Sequence, residues 1–102
     1  MLCACILIDK PGSSRLRQEH RPAHKLYLGQ VSDRIAFAGP LHEDDGITMI
    51  GSLLVIDFDS VPHARKWLDS EPFTRAGLYQ RAEVFPFSNL WPQKAGFPQE
   101  TK

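Results

Sequence analysis

The chain has 102 residues, with 12 Lys plus Arg against 12 Asp plus Glu and a formal net charge of zero. That length suits one domain with one thin core, and the charge balance argues against a DNA-coating or polybasic membrane-surface protein. Hydrophobic residues make 42% and charged residues 24%, a mixture that argues against wholesale disorder.

Leu2 to Ile8 is a continuous apolar run of strand length. It is far shorter than a membrane span and has no basic start of the kind a signal peptide carries, so a cytoplasmic chain with no membrane partner is expected. Cys3 and Cys5 are the only cysteines, which argues against a disulfide framework. On a strand their spacing points both side chains to one face. Half of a metal site is one reading, but no second cysteine pair completes it. Two small apolar residues in a buried strand is the other reading, and the one expected.

Pro11-Gly12-Ser13-Ser14 reads as a turn. Ser14 to Gln30 is helix-like, with Leu16, His20, Ala23 and Tyr27 on one face. Pro22 falls inside that pattern, and a mid-helix proline loses a hydrogen bond and clashes with the preceding turn. Two pieces are therefore expected, a short one over Ser14 to Glu19 and a main helix from Pro22 to about Gly29. Ile35 to Ala38 is a second strand closed by Gly39-Pro40, and His42 to Gly46 an acidic loop. Thr48 to Phe58 carries a third strand. Asp59-Ser60 caps a helix over Val61 to Ser70, with Ala64, Trp67 and Leu68 as its apolar stripe. Phe73 to Leu78 is a short turn of helix or a loop, and Arg81 to Phe87 a fourth strand. Residues 1–88 form the expected domain, and residues 89–102 a tail rich in turn formers.

The order βαββαβ with right-handed crossovers predicts an α+β, ferredoxin-like plait. Its four-stranded antiparallel sheet carries both helices on one face. The other face would be apolar and unpartnered in a monomer, which predicts a homodimer. The topology also gathers Pro11 to His24, Gly39 to Ser52 and Glu71 to Leu78 along one edge, the expected site of small-molecule binding.

Several readings compete on that edge. His24 in the first turn of a helix starting at Pro22 would be kept neutral by the helix dipole, as a general base requires. The first-turn N–H groups could also hold a substrate carboxylate. A histidine that merely packs is the alternative. Glu71 can orient His24 by accepting a ring N–H, or it is a surface acid before a proline. His20 and His24 have the spacing of two metal ligands on one helix, which Pro22 interrupts, so neither a metal nor a cofactor is expected. Glu43, Asp44 and Asp45 are either a cation-binding cluster or a solvated loop. Gly39, Pro40, Leu41 and Ser52 permit close approach of a ligand and offer a hydroxyl, and Phe73 and Leu41 would wall the pocket. Basic residues do not interleave with aromatics, so nucleic acid is not an expected partner.

Taken together, Arg21-Pro22-Ala23-His24, Ala38-Gly39-Pro40-Leu41 with its acidic loop and Gly46, Gly51-Ser52, Glu71-Pro72-Phe73 and Ala76-Gly77-Leu78 resemble the YciI-like (YCII-related) family. The resemblance covers nearly all of Met1 to Phe87. It implies a dimeric α/β barrel of ferredoxin-like subunits and an active site built on a histidine and an acid. His24 matches the family histidine. The family acid is usually aspartate, and Glu71 stands there, with the same charge and one methylene more. The resemblance further implies proton abstraction of lyase, isomerase or dehydrochlorinase type on a small carboxylate or ring-derived substrate. A non-catalytic dimeric module for a metabolite or protein is the alternative.

Overall fold

The computed structural model describes residues 1–91, so the tail expected over 89–102 lies outside the described residues from position 92 onward. The elements are β1 (Leu2–Asp9), α1 (Ser14–Gly29), β2 (Ile35–His42), β3 (Met49–Asp57), α2 (Val61–Asp69), α3 (Pro72–Arg75) and β4 (Tyr79–Pro86). The sheet order is β2-β3-β1-β4, with every neighbouring pair antiparallel. This is the expected ferredoxin-like plait.

Alternation along β1 decides the layers. Cys3, Cys5, Leu7 and Asp9 are buried, and the residues between them are half-buried. Cys5 lies opposite Leu54 on β3 and Val84 on β4. These residues share a core with Phe58 and with Ala64 and Leu68 of α2, while Leu28 of α1 packs against it. Both main helices therefore cover one face. Each large apolar side chain buried there stabilises the fold by about 1.5–3 kcal/mol. The cysteines are part of this packing, and burial pushes the Cys5 thiol up to about 12. The opposite face carries Ile6 against Leu53 and Ala4 against Phe85, the last of these 49% exposed. Among the described residues no helix is long and apolar enough to cross a membrane.

Two expectations about local structure need correction. Pro22 does not divide the first helix, because α1 runs unbroken from Ser14 to Gly29. Pro22 is on the exposed side, where the carbonyl of Gln18, deprived of its usual donor, faces water. Tertiary bonds fasten α1 on both sides of it, from Arg17 to Asp9 and from Tyr27 Oη to the Trp67 carbonyl. The inward stripe also differs from the expected one. Arg17 and His24 are the buried residues of α1, whereas Ala23 is exposed.

β2 likewise continues through Gly39-Pro40 to His42. It is an edge strand, and an edge tolerates a residue without an N–H. The acidic loop after it is organised by Asp45. Its Oδ1 accepts from the backbone N–H of Ile47 and of Thr48, each at 2.8 Å, and its Oδ2 accepts from the Thr48 hydroxyl at 2.6 Å. Those bonds make Asp45 a turn-builder. Ser60 caps α2 as expected, accepting from the His63 N–H at 3.2 Å.

Candidate active site

Three elements bring His24 and Glu71 together. α1 carries His24 on its inward stripe, midway along the helix. Glu71 closes the α2–α3 connection as the residue capping α3, where its Oε2 accepts from the Thr74 N–H at 3.3 Å. β4 brings Tyr79 alongside, and its hydroxyl donates to the same oxygen at 3.1 Å. The other carboxylate oxygen, Oε1, meets Nδ1 of His24. Glu71 is fully buried, so all of its hydrogen bonding is to protein. Phe73 lies flat against the imidazole, with ring centroids 4.1 Å apart and planes 19° from parallel.

This geometry changes the account of His24. It stands in the middle of an unbroken helix, so the helix N-terminus neither acts on its charge nor offers N–H groups for a carboxylate beside it. Glu71 performs the orienting work instead. With Nδ1 committed to a carboxylate, the favoured neutral tautomer carries its proton on Nδ1 and a lone pair on Nε2. Among the described residues Nε2 has no hydrogen-bond partner, and His24 lines a cavity of about 300 Å³. An unprotonated ring nitrogen facing a cavity is what a general base needs.

A second buried cluster adjoins the first. Arg17 donates through Nε to Asp9 Oδ2 at 2.6 Å and through Nη2 to Asp9 Oδ1 at 3.0 Å. Nη2 also donates to Ser52 Oγ at 3.1 Å. Arg17 is 3% exposed and Ser52 2%. The Arg17 guanidinium carbon lies 4.6 Å from the centre of the Phe73 ring, so Phe73 joins the two clusters.

The cavity is lined by Arg17, Arg21, His24 and Lys25 of α1 on one side and by Gly39, Pro40 and Ser52 on the other. The structure thus brings together His24, Glu71, Gly39, Pro40 and Ser52 of the expected residues. Phe73 stands behind the imidazole instead of at the wall. Leu41 is outside the lining, because alternation along β2 turns it to the face opposite Pro40.

Asp9, Arg17 and Tyr79 are absent from the sequence-based set. The β1 alternation continues onto Asp9, which was a legible signal; Arg17, seven residues before His24, shares its stripe only because α1 runs unbroken through Pro22. His20 and His24 do share a continuous helix, but the Nδ1 of His24 is taken by Glu71. Among the described residues no three His, Cys, Asp or Glu side chains gather into a metal-holding group.

Residues 1–88 match the family model described as YCII-related domain. The chain belongs to the YCII-related family. Curated YciI proteins from Escherichia coli and Shigella flexneri are each 33% identical over 98 residues, covering 89% of this chain and 100% of theirs. Among solved structures, the YCII-related chain is similar to 5-chloro-2-hydroxyhydroquinone dehydrochlorinase (TftG) from Burkholderia phenoliruptrix, in complex with 2,5-dihydroxybenzoquinone. The TM-score is 0.80 at 30% identity, over 86% of this chain and 94% of that one.

Proposed function

We propose that this YCII-related protein is a small acid–base enzyme of lyase, isomerase or dehydrochlorinase type. His24 Nε2 takes a proton from a small molecule in the cavity. Glu71 holds the imidazole through Nδ1 and stabilises the imidazolium that forms. Ser52 and the backbone at Gly39 and Pro40 hold the substrate. The observation that carries the reading is a histidine that lines a cavity, with one ring nitrogen on a buried carboxylate and the other without a partner among the described residues. The likeness to a dehydrochlorinase supports it, since loss of chloride after proton removal is chemistry that a histidine–carboxylate pair can perform.

The test is chloride release from 5-chloro-2-hydroxyhydroquinone by the wild-type protein and by His24→Ala. Release by the wild type and its loss in a folded His24→Ala protein are expected. Undiminished turnover in His24→Ala would remove the base. Tight binding of 2,5-dihydroxybenzoquinone with no turnover would mark a non-catalytic binding module instead.

The working unit in this proposal is a homodimer closed through the sheet face of Ile6, Leu53 and Phe85. Sedimentation at micromolar concentration should give twice the chain mass, and a monomer would contradict it. A cytoplasmic location belongs to the same proposal, in keeping with two free, buried cysteines.

A further inference from the structure

Charge on the cavity wall points to one class of ligand. Arg17, Arg21 and Lys25 follow one another at four-residue spacing along α1, and all three line the cavity. Like charges at that spacing repel and weaken a helix. Among the described residues no acidic side chain lines the cavity to offset them. The facing residues, among them Gly39, Pro40, Ser52 and Leu54, are uncharged. Arg21 and Lys25 make no ion pair among the described residues.

Arg17 is paired with Asp9, but only through Nε and Nη2. Among the described residues its Nη1 has no hydrogen-bond partner, although the side chain is almost wholly buried and borders the cavity. Ser52 Oγ accepts from Arg17, which leaves its own hydroxyl proton to donate. The cavity therefore offers donors and positive charge, and its nearest carboxylates, Asp9 and Glu71, are already engaged by Arg17 and His24.

We propose that the preferred substrate is a small carboxylate of single-ring size, held more tightly than an uncharged ring such as 5-chloro-2-hydroxyhydroquinone. Its carboxylate lies against Arg21 and Lys25. A second oxygen, the one on which charge develops as His24 takes the proton, lies against Arg17 Nη1 and Ser52 Oγ. A cavity of about 300 Å³ is at the small end for ligand sites, which sets the size. Preorganised donors stabilise charge developing on an oxygen, and two free cations at the rim draw an anion in. The inference rests on the acid–base reading for the place of the reacting atom; the anion preference is read from the cavity alone.

The experiment is calorimetric titration with 2,5-dihydroxybenzoate and with its uncharged analogue 2,5-dihydroxybenzamide. The acid is expected to bind about tenfold tighter or better, as charge-assisted pairing requires. That preference should shrink with added salt and disappear in the Arg21→Gln/Lys25→Gln double variant. Equal affinity for acid and amide, no measurable binding of the acid at millimolar concentration, or a preference that survives the double variant would each overturn it. The same titration on His24→Ala separates the two readings. A retained preference is expected there, whereas full turnover by His24→Ala would sink the acid–base reading and leave the anion preference standing.

Discussion

Arg17 and His24, seven residues apart on α1, lie against the same aromatic ring. Phe73 stacks on the imidazole and sits beneath the guanidinium, and each of the two polar groups is tied to its own buried acid. The two clusters thus form one unit joining β1, α1 and α3. Support of this kind keeps a base within the narrow geometry that proton transfer requires.

Removing the carboxylate while keeping its shape tests the role of Glu71. In Glu71→Gln the side-chain amide can present its N–H₂ to Nδ1, which drives the ring proton to Nε2 and takes the lone pair away from the cavity. Turnover should fall about 10²–10⁴-fold with little change in KM. Steady-state kinetics beside a thermal melt checks this, and a variant that melts like wild type but keeps full kcat would refute the orienting role.

Tyr79→Phe removes one donor from Glu71 Oε2 and nothing else of size. Burial, then the adjacent Glu71 charge, pushes the Tyr79 hydroxyl well above its ordinary 10.0, so it remains a donor throughout the working pH range. The variant should lose about tenfold in kcat at unchanged KM, as loss of a supporting hydrogen bond does in other polar sites. A loss of thermal stability alone, with kcat intact, would show that the tyrosine only packs.

Asp9 and Arg17 form a buried ion pair, with side-chain exposures of 6% and 3%. Asp9→Asn leaves a buried guanidinium without its counter-charge and should cost about 3–5 kcal/mol. The double change Asp9→Leu/Arg17→Met should recover much of that, because it removes the uncompensated charge along with the pair. Urea unfolding of the three proteins measures both effects.

Gly51 admits no side chain. A Cβ placed there would lie 2.3 Å from the Leu7 carbonyl oxygen across the β1–β3 ladder, and backbone cannot yield as a flexible side chain would. Gly51→Ala should destabilise the fold by about 1–3 kcal/mol and displace Ser52, its neighbour. A lower midpoint of denaturation together with weaker ligand binding is the expected result.

Acid stability should depend on Asp45. Its bonds to the Thr48 side chain, then to the Thr48 and Ile47 backbone, pull its carboxyl from 3.8 down to about 2. A carboxyl lowered on folding contributes stability above its unfolded value and loses it as pH falls through the folded one. Asp45→Asn should therefore flatten the decline in melting temperature between about pH 4 and pH 2. An unchanged slope in that interval would contradict the turn-building role.

The architecture was legible in the chain itself. Apolar runs of strand length, a period-2 β1 and the stripe of α2 report on local geometry, and four strands with two long crossovers leave few topologies. The candidate pair was legible in part: topology and the family resemblance put His24 and Glu71 together, but on the premise of a helix starting at Pro22, whereas they meet midway along α1. Tertiary structure decided the rest. Proline's local penalty predicts a break at Pro22, yet distant bonds from Arg17 and Tyr27 hold α1 straight through it. Leu41 reads as a pocket wall until the length of β2 sets which face it occupies. Arg17, among twelve scattered basic residues, looks like surface charge until Asp9 and Ser52 close around it. Period and propensity are written residue by residue, whereas the burial of a charge depends on which distant groups arrive to accept it.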